Sequence, residues 1–190
     1  MFFDSESNTI KQKDPGLHWF AVRVFKGRVF RIKEDAEEAG NETYMAMRIL
    51  EKGECGNRRP EQVQIIPQLI FIRCTFDWLR TFKDRHFNEI FIYSEKPGNA
   101  PAPIRDVEMD LFKFVTSTNN GRDVEYYADT MPEFSEGERV RVIDGLYKGA
   151  EGYVKRIKKD RKLLVAVEGV AVIAISHIPV SYLEKVEKDS

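Results

Sequence analysis

The run VQIIPQLIFIRCT, residues 63–75, does most to restrict what this chain can fold into. It is apolar on both sides of Pro67. Proline gives no N–H to a ladder, so the run must hold a bulge or a strand start at that point, not one unbroken central strand. Beyond it, Leu69 and Phe71 fall on one side of a pleated strand, and Ile70 and Ile72 fall on the other. A half-covered antiparallel sheet normally turns polar residues outward. A strand apolar on both faces needs two lids. Helices of the same chain supply one. A partner, or a loop or tail of this chain, supplies the other.

The flanking sequence supports a sheet with helices. LHWFAVRVF, residues 17–25, alternates Phe20, Val22 and Val24 against Trp19, Ala21, Arg23 and Phe25 and predicts a strand. Val29, Ile32, Ala36 and Ala39 then step at helical spacing, opposite a charged face and ahead of a Gly40-Asn41 stop. A strand is expected near 44–51, a polar loop over 52–61, and a short helix over 77–86 capped by Asp77. Another strand is expected at 89–93 and a helix at 105–115. The order β-α-β-β-α-β-α predicts an α+β domain over 17–115, with about four antiparallel strands and the helices mainly on one face.

After Val115 the rhythm changes. Residues 105–133 hold seven acids against three bases, and TSTNNG is turn-rich, so 116–133 is expected to be a linker. Residues 1–16 are polar, end in Asp-Pro-Gly, and read as a flexible tail. From 134 to 187, five short β-rich runs are separated by glycines: 139–143, 152–157, 163–167, 170–176 and 182–186. That pattern predicts a small all-β barrel.

Composition removes several function classes. With 30 Lys and Arg against 31 Asp and Glu, overall charge does not hold the chain on nucleic acid, although a local basic face could. No apolar stretch approaches the ~20 residues of a membrane helix, and no secretory h-region opens the sequence. Cys55 and Cys74 do not make a disulfide scaffold, so the expected location is the reducing cytoplasm. The three histidines, His18, His86 and His177, fall in different elements without metal-ligand spacing, and no nucleophile or phosphate-loop motif occurs. The chain reads as a non-enzyme that needs no cofactor and no metal.

Two sets of residues carry a family resemblance. The first is FSEGERVRVIDGLYKGAEGYVKRI, residues 134–157, in which Gly137, Asp144, Gly145, Gly149 and Gly152 punctuate two strands. Gly152 opens its strand where a side chain would crowd a neighbouring backbone. This run resembles a KOW motif, and so an SH3-like barrel. The second is Trp19-Phe20, the strand after Pro67, and Pro101-Ala102-Pro103-Ile104 ahead of a helix. In that order they resemble the N-terminal domain of the NusG transcription elongation factors, which is ferredoxin- or RRM-like. Together the two sets cover 17–187.

The resemblance implies a monomeric transcription factor that binds the clamp helices of RNA polymerase through its first domain and suppresses pausing or termination. Carried over by position, the polymerase contact falls on Arg23, Ile66, Pro67, Leu69 and Phe71, with a further contact at Thr81 in the RfaH-like branch. That branch also touches non-template DNA, which here implies Lys26, Arg28 and Arg31; nascent RNA is a second nucleic-acid candidate. The KOW domain implies a ribosomal protein or a termination factor as partner. The family's Pro-Gly-Tyr or Pro-Asn-Tyr reads Pro67-Gln68-Leu69 here, and 167–175 diverges from general members. Both point to an operon-specific, RfaH- or UpxY-like antiterminator, with a housekeeping NusG as the alternative. A third reading is a KOW-type RNA-binding or ribosome-associated protein using KRIKKDRK, residues 155–162, which holds six bases and one acid.

Overall fold

The computed structural model describes residues 16–53, 59–94, 100–127, 138–157, 160–176 and 178–186. The expected tail, except Gly16, lies outside them, as do Gly137, Cys55 and His177.

The first sheet has the order β2-β5-β1-β6, from β1 (His18–Val24), β2 (Glu42–Tyr44), β5 (Leu69–Cys74) and β6 (Ile90–Ile92). Every pairing in it is antiparallel. A separate hairpin joins β3 (Met47–Lys52) to β4 (Arg59–Gln64). β4 occupies part of the expected polar loop. Its sequence, RPEQVQ, has an exposed first half and pairs with one neighbour only, so no apolar alternation announced it. Pro67 marks a corner, and β5 begins two residues later, which is the strand-start alternative.

The two faces of this sheet are covered by different helices. Phe20, Val22, Val24, Ile70, Ile72 and Cys74 pack against Val29, Ile32 and Ala36 of α1 (Val29–Glu38) and Leu79 and Phe82 of α2 (Phe76–Arg85). The α2 N-cap is Thr75, whose Oγ1 accepts from Trp78 N–H at 3.2 Å, and not the expected Asp77. The opposite face carries Trp19, Ala21, Leu69 and Phe71, buried with Met109, Phe112 and Val115 of α3 (Asp106–Ser117). Helices therefore lie on both faces, not mainly on one. A strand that is greasy on both sides requires this, and α3 offers an apolar position every third residue as the second lid.

The second sheet has the order β12-β8-β9-β10-β11-β7. It is built from β8 (Glu138–Val142), β9 (Glu151–Ile157), β10 (Asp160–Val167), β11 (Ala171–Ile175) and β12 (Leu183–Lys185), matching the five expected strands, plus β7 (Val124–Tyr127). Among the described residues no ladder joins β12 to β7, so the sheet is open where a closed barrel was expected.

β7 comes from the expected linker. Its described part starts in the last two residues of α3, passes through a turn at Thr118–Gly121 in which Asn119 and Asn120 hold φ of 49° and 52°, and ends in a strand that pairs antiparallel with β11. The Val-Glu-Tyr-Tyr of β7 suits a pleated edge. The turn is packed on the β3–β4 hairpin: a Cβ on Gly121, at φ 66°, would meet Ile65 Cδ1 at 2.8 Å and the Met47 carbonyl O at 2.9 Å. One apolar core continues from Phe71 and Phe112 into Val165, Ile173 and Val142 of the second sheet.

Candidate functional site

Along the α3 face of β1, cover stops halfway. Trp19 and Ala21 are buried, Arg23 is exposed, and Phe25 just past the strand is 39% exposed. α3 closes the first half. Lys113 Nζ lies 3.9 Å from the Trp19 ring centroid and 2.9 Å from Glu42 of β2, a cation–π and ion-pair clasp over the strand. Beyond it, register sets Arg23 between Leu69 of β5 and Phe91 of β6. Phe91 is 49% exposed and meets the Tyr93 ring edge-on at 5.5 Å. The corner at Pro67-Gln68 is tied to this end of β1, since Val24 N–H donates to the Gln68 carbonyl at 2.8 Å.

Of the five expected polymerase-contact residues on this sheet, Arg23 and Pro67 are exposed, whereas Ile66, Leu69 and Phe71 are buried. The expectation of an open apolar patch at those three fails because α3 already walls it: the Phe112 and Phe71 rings are 5.2 Å apart. The apolar side chains left open on this face are Phe25 and Phe91, which sequence reasoning did not single out. The signal was present in Ile90-Phe91-Ile92, whose alternation turns one aromatic away from the side covered by α1 and α2.

Lys26, Arg28 and Arg31 gather where β1 turns into α1, all exposed. Arg28 and Arg31 each pair with a different oxygen of Glu89, in the loop before β6. His86 Nδ1 lies 3.2 Å from that carboxylate, and its Nε2 lies 3.6 Å from Asp35. The His86 contact, then the charges of Arg31 and Arg28, hold the Glu89 carboxyl below its ordinary range.

Thr81 stands on the exposed side of α2, and its hydroxyl donates to the Asp77 carbonyl at 3.2 Å. It borders a hollow of ≈ 270 Å³ with Asp77, Trp78, Phe82 and Arg85. Trp78 stacks on Phe82 with centroids 4.5 Å apart.

In the second sheet, Gly145 and Gly149 hold φ of 82° and 92°, and Asp144 Oδ1 accepts from Gly145 N–H at 2.8 Å. A Cβ on Gly152 would lie 2.2 Å from the Leu164 carbonyl O, which is the anticipated crowding. Tyr147 is buried, and its hydroxyl donates to Asp123 at 3.2 Å. Burial, then the Asp123 charge, pushes that phenol up. Lys162, the last residue of the basic run, is also buried; it reaches Glu125 at 2.6 Å and the Tyr127 hydroxyl at 3.2 Å. Lys158 and Lys159 lie outside the described residues. The run is therefore partly a structural staple for β7.

Burial pushes the Cys74 thiol up to about 12, so it stays protonated. A groove of ≈ 920 Å³ between α3 and the second sheet has a mostly apolar lining, and four of its charged side chains are paired with each other: Arg105 with Glu108, and Arg139 with Glu151. Among the described residues no three His, Cys, Asp or Glu side chains converge as a metal site. No helix among them is long and apolar enough to cross a membrane.

Comparison with known proteins gives one family match. The family described as "Transcription termination factor nusG" matches residues 17–113. Among solved structures, NusG of Thermotoga maritima, titled "Domain interaction in Thermotoga maritima NusG", is similar at 23% identity and a TM-score of 0.46, over 90% of this chain and 98% of that one. No curated protein matches.

Proposed function

The chain belongs to the NusG family of transcription factors, and from that membership we propose that it regulates elongation by binding the clamp helices of RNA polymerase. The contact uses the end of the first sheet that α3 leaves uncovered: Arg23, Phe25 and Phe91, beside Pro67. The observation that carries this is the Leu69–Arg23–Phe91 register. It lays a cation and an exposed aromatic across the sheet, over the buried floor of the position implied by resemblance. Pausing responds to small differences, since about 1.4 kcal/mol changes a rate tenfold. At ~25 cal/mol per Å², burying on the order of 100 Å² more apolar surface in the processive state exceeds that.

Gln68 supports the same placement. It holds φ 61°, in the left-handed region. Glycine and asparagine adopt that region most easily, and they are the residues the resembling Pro-Gly-Tyr and Pro-Asn-Tyr segments carry there. The corner thus keeps the geometry while its sequence departs. That departure, with the divergence over 167–175, favours a specialised antiterminator acting on particular operons over a housekeeping copy. Lys26, Arg28 and Arg31 are its nucleic-acid contact, and Thr81 is a second polymerase contact on α2. The second sheet is read as the KOW domain, SH3-like in kind, docking a ribosomal protein or termination factor. The reading as an RNA-binding protein is weaker, because Lys162 and Tyr147 are engaged inside the molecule.

The test is co-purification of RNA polymerase with the wild-type chain and with Phe25→Asp/Phe91→Asp. Retention by the wild type and loss by the variant is expected. Equal retention by both, or none by the wild type, would refute the contact.

A further inference from the structure

We propose that Glu89 is a built-in stand-in for a nucleic-acid phosphate, holding Arg28 and Arg31 until a phosphodiester displaces it. This rests on the reading of those arginines as nucleic-acid contacts and adds how that contact is regulated.

Three observations carry it. Arg28 Nη1 and Arg31 Nη2 converge on one carboxylate, each taking its own oxygen. A phosphodiester offers the same pair of oxygens, and guanidinium forks match both groups. The arginine side chains are 44% and 50% exposed while Glu89 is only 18% exposed, so the carboxylate sits behind them. Each guanidinium has five N–H donors and spends few on Glu89, leaving others for an incoming anion. Finally, Glu89 keeps an interior partner if the arginines turn outward, because His86 Nδ1 is 3.2 Å away on a side chain only 6% exposed. Release therefore does not strand a carboxylate.

The surroundings fit an anion. α1 has no acidic residue in its first turn and no side-chain cap, and Lys26 precedes it. Further along, Glu37 is engaged by Lys33 at 2.5 Å. With Glu89 in place two guanidiniums face one carboxylate, an excess of positive charge that Asp35, 3.6 Å from His86 Nε2, and the exposed Glu34 further along α1 temper. A nucleic acid already held beside the polymerase outcompetes one internal carboxylate.

The experiment measures binding of the full chain to a mixed-sequence single-stranded DNA of about 20 nucleotides, by anisotropy over a KCl series. Glu89→Gln removes the charge and keeps the shape. It should bind about twofold to tenfold more tightly at low salt. Its log K against log salt slope should steepen by roughly 0.7–1.4, equivalent to one or two more phosphates. Adding Arg28→Ala/Arg31→Ala should abolish the gain. If the arginine double variant binds like wild type, the nucleic-acid reading itself is wrong. If arginine removal weakens binding but Glu89→Gln does not strengthen it, only the role of Glu89 is overturned. Polyglutamate bound by Glu89→Gln as tightly as DNA would point to an acidic protein and overturn the phosphate assignment. Should Glu89→Gln fail to fold, NMR of the wild type decides: both arginine Nε signals must shift together on adding DNA, and unmoved signals refute the exchange.

Discussion

The Phe112 ring of α3 packs on the Phe71 ring of β5 with centroids 5.2 Å apart and planes tilted by 57°. That contact converts a strand apolar on both faces into a fully lidded one, and the exposed aromatics Phe25 and Phe91 lie at the end of the sheet that α3 does not cover. Phe112 is completely buried, with Tyr44 edge-on at 6.3 Å. Phe112→Ala is expected to destabilise the chain by about 3–5 kcal/mol, from lost burial plus the cavity left behind. Urea unfolding checks this; a loss below 1 kcal/mol would mean that α3 is not the lid.

Gln68 spends conformational energy to hold its left-handed corner. A non-glycine residue there costs about 1–2 kcal/mol, partly offset in a glycine variant by greater unfolded-state freedom. Gln68→Gly should therefore raise stability by up to about 1 kcal/mol, seen as a higher denaturation midpoint at unchanged slope. A lower midpoint would show that the hydrogen bond from Gln68 N–H to Gln64 Oε1, 3.1 Å long, depends on the longer side chain.

Gly152 faces backbone, and backbone cannot step aside as a flexible side chain would. Gly152→Ala should disrupt the β9–β10 pairing and destabilise the second sheet by about 2 kcal/mol or more. Amide exchange is the measurement: protection should fall over 151–167 and persist in β1 and β5. Uniform loss over both sheets would instead show one cooperative unit, as the shared core permits.

The Glu125–Lys162 pair gives a pH signature. The hydrogen bond from Lys162 lowers the Glu125 carboxyl, while burial and then the Tyr127 hydroxyl act on it more weakly. A depressed carboxyl contributes stability above its unfolded value and loses it as pH falls through the folded one. For Lys162, burial works downward, but Glu125 and Tyr127 outweigh it and raise the amine. Its contribution is complete below the ordinary lysine range and fades as pH rises through the folded value. Glu125 is half exposed, so the effect is no more than about 1 kcal/mol. The Tm of Glu125→Gln should trail wild type near neutrality and converge with it in acid; a gap that persists at pH 2–3 would rule out the charge pair as its cause.

Local pattern was enough for most elements of this fold. The Phe20–Val24 alternation, the three-and-four stepping of α1 and the glycine punctuation of 139–186 are short-range properties, set by pleat, helical period and backbone freedom near each residue. Pro67 likewise announced where β5 could begin. Alternation could also say that Leu69 and Phe71 needed a lid, but not which segment supplies it. That choice depends on where the chain goes some 40 residues later, when α3 brings Phe112 onto Phe71 and leaves Phe91 bare. The same holds for Arg28 and Arg31, which read as free cations until the loop before β6 sets Glu89 against them. It holds again for β7, a tether by composition and a strand by partnership with β11. Which side chains are open to a partner is a property of distant neighbours, because burial and charge pairing are fixed only when remote segments meet.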